Sequence, residues 1–208
     1  IQLKLRADMM VAFDDVTALD DQGRARTQEA FDRTHRWLER SLAEFQRLTT
    51  GMKSIERPLL FGVVQGGMDK DLRRRSLEIV QSLPVDGIAI GGESIGYNME
   101  ATAQILDWVY PLVPADKPHY AMGVGLNPTD LLIAVEHGVD MFDCVAPTRL
   151  ARHGMLFAFN KEKGHRINIK NAQRVKALII LVFLLIQNIR KSLCARIAWL
   201  LRQNFRVP

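Results

Sequence analysis

The sequence predicts an α/β protein: about five of the eight βα units of a (β/α)8 TIM barrel, an incomplete ring followed by a divergent C-terminal helical tail. Three observations predict it. Short apolar runs alternate with longer segments of helical character, and regular β-α alternation implies a parallel sheet with right-handed crossovers. Polar residues recur where those runs end: Asp14 and Asp15, Gln65, Gly91-Gly92-Glu93, Gly123 and Asp143. In a barrel all such ends converge on one mouth, where the active site is built. Finally, no Gly-x-Gly-x-x-Gly follows the first run, which counts against an open dinucleotide-binding sheet.

In chain order, the predicted strands are residues 9–14, 59–65, 85–90, 119–122 and 139–143, each short and bounded by Gly, Pro or polar residues. The predicted helices are residues 24–48, 69–83, 98–112 and 128–137. Leu72, Leu77, Ile79, Val80 and Leu83 share one face at a period near 3.6, as do Ile105, Leu106, Val109 and Leu112. Pro128 with Asp130 close behind marks a helix start. The opening residues read like the middle of a helix, and Pro147-Thr148-Arg149 reads as a loop. Five strands cannot close a ring of eight, so roughly three more are expected ahead of Ile1.

At 208 residues with 48% apolar residues, the chain can bury one sizeable core, and its composition excludes fibrous and disordered classes. Cys144 and Cys194 are its two cysteines. They supply neither a disulfide framework nor a Cys-x-x-Cys metal pair, and a reducing cytoplasm fits. The net charge of +5 is uneven: residues 161–208 hold eleven Lys or Arg against Glu162 alone, which leaves −5 on the first 160 residues. A basic tail suggests a polyanionic partner, because displaced counterions drive such binding. The ten-residue apolar run 177–186 is about half of what a membrane helix needs, so no membrane partner is expected.

Asp143 is the candidate nucleophile, a carboxylate at a strand end followed at once by Arg149 and Arg152, two cations suited to a phosphate backbone. The alternative is a strand-end Asp capping the next turn. Asp14 and Asp15 offer acceptors for the N–H edge of a guanine-type base, or else cap a turn. Gln65 can donate and accept at once, and the glycines after it admit a planar ligand. The glycine-rich run 90–96 exposes backbone groups that can read a base, or is a plain turn. The stretch from Met122 to Asp130 leads into a helix N-terminus, which suits a phosphate. His35, His119, His137, His153 and His165 show no ligand spacing and read as surface or core residues.

Assembled, these residues resemble the tRNA-guanine transglycosylase family of bacterial type. The matching pieces are Met10-Val-Ala-Phe-Asp-Asp15, Arg33-Thr-His-Arg-Trp37, Phe61-Gly-Val-Val-Gln-Gly-Gly67, Ile88-Ala-Ile-Gly-Gly92, Tyr120-Ala-Met-Gly-Val-Gly125, Asp140-Met-Phe-Asp-Cys-Val145, Pro147-Thr-Arg149 and Ile167-Asn-Ile-Lys-Asn-Ala172. They occur in family order over residues 7–172, about four-fifths of the chain. The resemblance implies exchange of the wobble guanine (position 34) of tRNA for a 7-deazaguanine such as preQ1 or queuine, through a covalent ribosyl-aspartate. It implies Asp143 as catalytic nucleophile and Asp14, Gln65 and the backbone at Gly92 as base holders. It implies a tRNA anticodon loop lying along Gly123, Val124, Gly125, Asn127 and Asp130, and along Thr148, Arg149, Leu150, Ala151 and Arg152. A homodimer is left open.

Departures from the family pattern matter as much. Its Asp-Ser-Gly-Gly-Phe-Gln motif, source of a second aspartate, is absent, as is its Cys-x-Cys-x-x-Cys plus His zinc site, so no cofactor is identifiable in this chain. Glu93 and Tyr97 stand where many bacterial members have a small apolar residue and an acid, which bears on the incoming base. The domain reading is a partial barrel over residues 1–172 and a divergent basic and apolar tail over 173–208, a frameshifted or replaced zinc subdomain. The alternative function is a non-catalytic RNA-binding subunit or an inactive piece of such an enzyme. A small-molecule barrel lyase is disfavoured by the lack of a lysine at a strand end.

Overall fold

The structure, a computed structural model, describes residues 1–17, 23–92, 95–157 and 166–168. It divides into two compact units, Ile1–Cys144 and Val145–Pro208. The tail 173–208 lies outside the described residues, as do Glu93 and His165.

The first unit is built on five parallel strands in sequential order: β1 (Met9–Val11), β2 (Leu59–Val64), β3 (Gly87–Ile90), β4 (His119–Ala121) and β5 (Met141–Phe142). Four helices alternate with them: α1 (Arg24–Thr49), α2 (Lys70–Ser82), α3 (Met99–Val109) and α4 (Pro128–Glu136). This is the predicted incomplete (β/α)8 barrel, with every predicted strand and helix present. The chain opens on a 3-10 turn, Gln2–Leu5, closed by Arg6 in the left-handed region. The Gln2 side-chain amide bonds both the N–H and the C=O of Val11, at 3.1 and 2.9 Å, and so covers part of the outer edge of β1.

Alternation along each strand sorts the side chains onto two faces. Ala12, Val64, Ile88, Ile90 and Ala121 pack against Leu38, Leu77, Val80, Ile105, Leu106 and Val109 of the helices. Met9, Val11, Phe61, Val63, Ala89, Tyr120, Met122 and Met141 form a separate cluster on the opposite, inner face. Fully burying each aliphatic or aromatic side chain is worth about 1.5–3 kcal/mol, so the helix-facing layer holds the unit together. Gly87 is required by this packing, because a Cβ there would lie 2.2 Å from the Phe61 ring.

The helices start where the sequence signals them. Asp69 accepts the N–H groups of Asp71 and Leu72 at 3.0 and 3.1 Å, and Asn98 accepts that of Ala101 at 3.1 Å. Two acids fix the strand starts at the other end of the sheet. Asp86 accepts the Leu60 N–H at 2.8 Å while pairing with both ends of the Arg57 fork, and Asp140 accepts the His119 N–H at 3.0 Å.

In the second unit, Ala146–Arg152 form a short helix, α5, and β6 (Met155–Phe157) pairs antiparallel with β7 (Arg166–Asn168). This corrects the expectation of a loop at residues 147–149. Pro147 lies in the first turn of α5, where its fixed φ favours a helix and its missing N–H costs nothing.

Candidate active site

The C-terminal ends of the five strands carry the predicted polar residues, and the parallel sheet brings them to one rim. At the β1–β3 side, Asp14, Gln65, Gly91 and Gly92 come together. The Gln65 amide, 1% exposed, donates to Asp14 Oδ2 at 2.6 Å. A Cβ on Gly91 would lie 2.7 Å from both Asp14 Oδ2 and Gln65 Nε2, so only glycine lets the β3 backbone approach this pair. Burial pushes the Asp14 carboxyl above its usual range, opposed by the Gln65 hydrogen bond and by the charge of Arg73. The Gln65 bond takes one of the several acceptor positions a carboxylate offers to N–H donors.

Its neighbour Asp15 behaves differently. Arg26 grips it through two bonds of 2.9 and 2.7 Å and Arg33 adds a third contact, which together hold its carboxyl below the usual range. The Asp15 N–H donates to Thr34 Oγ1 at 2.9 Å. Of the two adjacent acids, one faces the pocket and the other pins the loop to α1.

The Arg33-to-Trp37 motif also reaches Gln65. Buried His35 bonds the Phe31 carbonyl through Nδ1 at 2.6 Å and Ser76 Oγ through Nε2 at 2.9 Å, and Ser76 Oγ accepts the Gln65 backbone N–H at 2.9 Å. Burial lowers the His35 pKa and so favours the neutral ring. With Nδ1 donating to Phe31, Nε2 is left to accept the Ser76 hydroxyl. His35 is thus a core histidine, as expected, but one that carries a supporting bond to the pocket.

Asp143 follows β5 directly and shares the inner face with Met141. It is exposed. Oδ1 accepts the Tyr120 hydroxyl at 2.6 Å and the Gly123 N–H at 3.1 Å, whereas Oδ2 has no partner among the described residues. Burial first, and Asp143 second, hold the Tyr120 phenol well above its ordinary pKa, so it stays a donor. One carboxylate oxygen is anchored and the other is open, which is the arrangement a carboxylate nucleophile needs.

The residues expected along an RNA loop are placed unevenly. Gly123 bonds Asp143, Val124 is fully buried, and a Cβ on Gly125 would lie 2.9 Å from Leu131. Asp130 is 5% exposed and accepts the Asn127 N–H at 2.7 Å. The α4 N-terminus thus already holds a carboxylate of its own where an external anion was expected. In the second unit, Thr148, Arg149, Ala151 and Arg152 are exposed on α5 and Leu150 is half-buried.

Sequence reading missed Arg73, Ser76 and Tyr120. The signal for Arg73 was present: it falls on the apolar stripe of α2 with Leu72, Leu77 and Val80, where a charge has no place unless it is used. Among the described residues, no group of three or more His, Cys, Asp or Glu is arranged to hold a metal. No described helix is long and apolar enough to cross a membrane.

Residues 1–178 match the family model of queuine tRNA-ribosyltransferase. A queuine tRNA-ribosyltransferase of Herpetosiphon aurantiacus is 47% identical over 173 residues, covering 83% of this chain and 41% of its own length. One from a Nostoc species is 43% identical over 173 residues, with 83% and 42% covered, and one from a Janthinobacterium species is 44% identical over 178 residues, with 83% and 44% covered. The chain spans about two-fifths of the length of these curated relatives. A match that runs through the strands, the helices and both polar clusters makes this chain a member of the queuine tRNA-ribosyltransferase family.

Proposed function

We propose that this chain carries the base-reading and nucleophilic parts of a tRNA-guanine transglycosylase, acting in the cytoplasm on the anticodon loop of tRNA. The observation that carries the proposal is the half-anchored carboxylate of Asp143 on the same strand-end rim as the Asp14–Gln65 pair. Guanine presents N1–H and 2-amino donors beside the O6 acceptor. Asp14 accepts the two donors, and Gln65 and the Gly92 backbone serve O6. A base read on this edge must be out of its stack, as in a single-stranded loop.

Asp143 Oδ2 attacks C1′ of the ribose as the C1′–N9 bond breaks and its electron pair leaves with guanine. The product is a ribosyl ester of Asp143. N9 of the incoming 7-deazaguanine, preQ1 or queuine, then attacks C1′ and expels the carboxylate, so two inversions give net retention. Over the cycle one proton passes from the incoming base to the departing one. Exposed Arg149 and Arg152 supply cations for the RNA backbone, and Thr148, Leu150 and Ala151 present the same short helix to it.

The test extends the chain at its N-terminus with the corresponding segment of the Herpetosiphon aurantiacus relative and incubates it with unmodified tRNA. A denaturant-stable protein–RNA adduct is expected, lost in Asp143→Ala. An adduct that survives that change refutes the role of Asp143. Salt-dependent tRNA binding without any adduct or guanine exchange would favour the non-catalytic RNA-binding reading instead.

A further inference from the structure

We propose that Arg73 is the positioning residue that sets the purine-edge pocket, holding Gln65 and the Gly91–Gly92 backbone in the arrangement that distinguishes guanine from purines with a different edge. The proposal rests on the assignment of Asp14 and Gln65 to guanine. Arg73 lies in the first turn of α2 with its side chain fully buried. Its Nε donates to the Gly67 carbonyl at 2.8 Å, and Nη1 donates to the carbonyls of Val64 at 2.8 Å and Gly91 at 2.7 Å. One guanidinium therefore ties together the end of β2, the turn after it and the end of β3.

Two of those carbonyls flank Gln65 in sequence, and the third immediately precedes Gly92. The backbone on both sides of Gln65 is thereby fixed, and its own N–H is held by Ser76 from the same helix face. Nη2 has no hydrogen-bond partner among the described residues and lies 2.8 Å from where a Cβ on Gly92 would be. The guanidinium plane thus forms the back wall against which Gly92 rests.

Burying a cation without a direct ion pair is costly, and nothing on α2 requires a charge for packing. A planar fork meets three separate carbonyls from two nitrogens held in fixed positions, whereas a lysine has a single nitrogen that cannot stand at both. Arg73 also keeps a positive charge behind Asp14, opposing the effect of burial on that carboxyl. Geometry and charge act on the same few atoms.

The experiment measures guanine and 2-aminopurine binding by calorimetry on the full 208-residue chain and its variants. The 2-aminopurine probe keeps the 2-amino group and lacks the O6 and N1–H edge. In Arg73→Lys, guanine affinity should fall about tenfold, the scale of one misplaced hydrogen bond, while 2-aminopurine changes little, so discrimination shrinks. The exposed Arg74→Lys should leave both unchanged. If wild type binds guanine and Asp14→Asn abolishes it, yet folded Arg73→Lys retains wild-type values for both bases, this proposal is overturned and the pocket assignment stands. If wild type binds no guanine, or Asp14→Asn leaves binding intact, the pocket assignment fails and this proposal with it. Should Arg73→Lys not fold, the wild-type chain labelled with nitrogen-15 decides. The Arg73 Nε–H resonance must resist solvent exchange and shift on guanine saturation, and an unmoved resonance overturns the proposal.

Discussion

Asp14→Asn separates what the pocket does for binding from what it costs in stability. Asparagine has the shape of aspartate and keeps an oxygen for the Gln65 amide, now 2.6 Å away. What it removes is the charge and one acceptor. Two hydrogen bonds to a charged carboxylate are worth about 1.5–3 kcal/mol each, and a neutral amide returns only about 1 kcal/mol. Guanine affinity should therefore fall by about 2–5 kcal/mol, or roughly 30- to 5,000-fold. Stability should move the other way. Burial raises the Asp14 pKa, so folding costs the charged carboxyl more than it would an uncharged one, and asparagine carries no charge to bury. At neutral pH the variant should be more stable by up to about 1 kcal/mol, seen as a rise of about 2–4 °C in Tm for a chain of this size. Calorimetry with guanine and thermal unfolding followed by circular dichroism measure the two effects. Guanine binding within threefold of wild type would refute the reasoning, and so would a Tm lowered by more than about 4 °C.

Tyr120→Phe keeps the edge-on contact with Phe61 but deletes the 2.6 Å bond to Asp143. Adduct formation in the extended chain should slow about tenfold, which is about 1.4 kcal/mol of barrier, with tRNA affinity unchanged in a filter-binding assay. Gly91→Ala drives a methyl to 2.7 Å from both Asp14 and Gln65. It should cost about 1–3 kcal/mol in urea unfolding and abolish guanine binding. His35 has a pKa below that of an exposed histidine because it is buried, so the unfolded chain takes up a proton before the folded one does. Its contribution to stability is complete above the unfolded value of about 6.5 and is lost as the pH falls towards the folded value. The urea midpoint should therefore drop more between pH 7 and 5 in wild type than in His35→Gln.

The elements and their order were legible because their signals are local. Apolar runs bounded by Gly and Pro, a 3.6-residue period on α2 and α3, and a proline at the first position of α4 with Asp130 close behind each act within a few residues. Asp14, Gln65, Gly92 and Asp143 could be nominated as candidates by the same means, since each stands where a run of apolar residues stops. The short helix at Ala146–Arg152 was read as a loop because seven residues carry too little periodicity to outweigh a proline.

What only the tertiary structure decided is which groups meet. It joined Asp14 to Gln65 across 51 residues and Tyr120 to Asp143 across 23. It set Asp15 apart on Arg26 and Arg33, turned Asp130 into a helix cap, and put Arg73 beneath both glycine-rich turns. Sequence determines where chains turn because turning is a property of neighbouring backbone and side chains. Partnership between distant polar groups is decided by the sheet, whose parallel register brings strand ends to one rim, where most buried polar groups find partners.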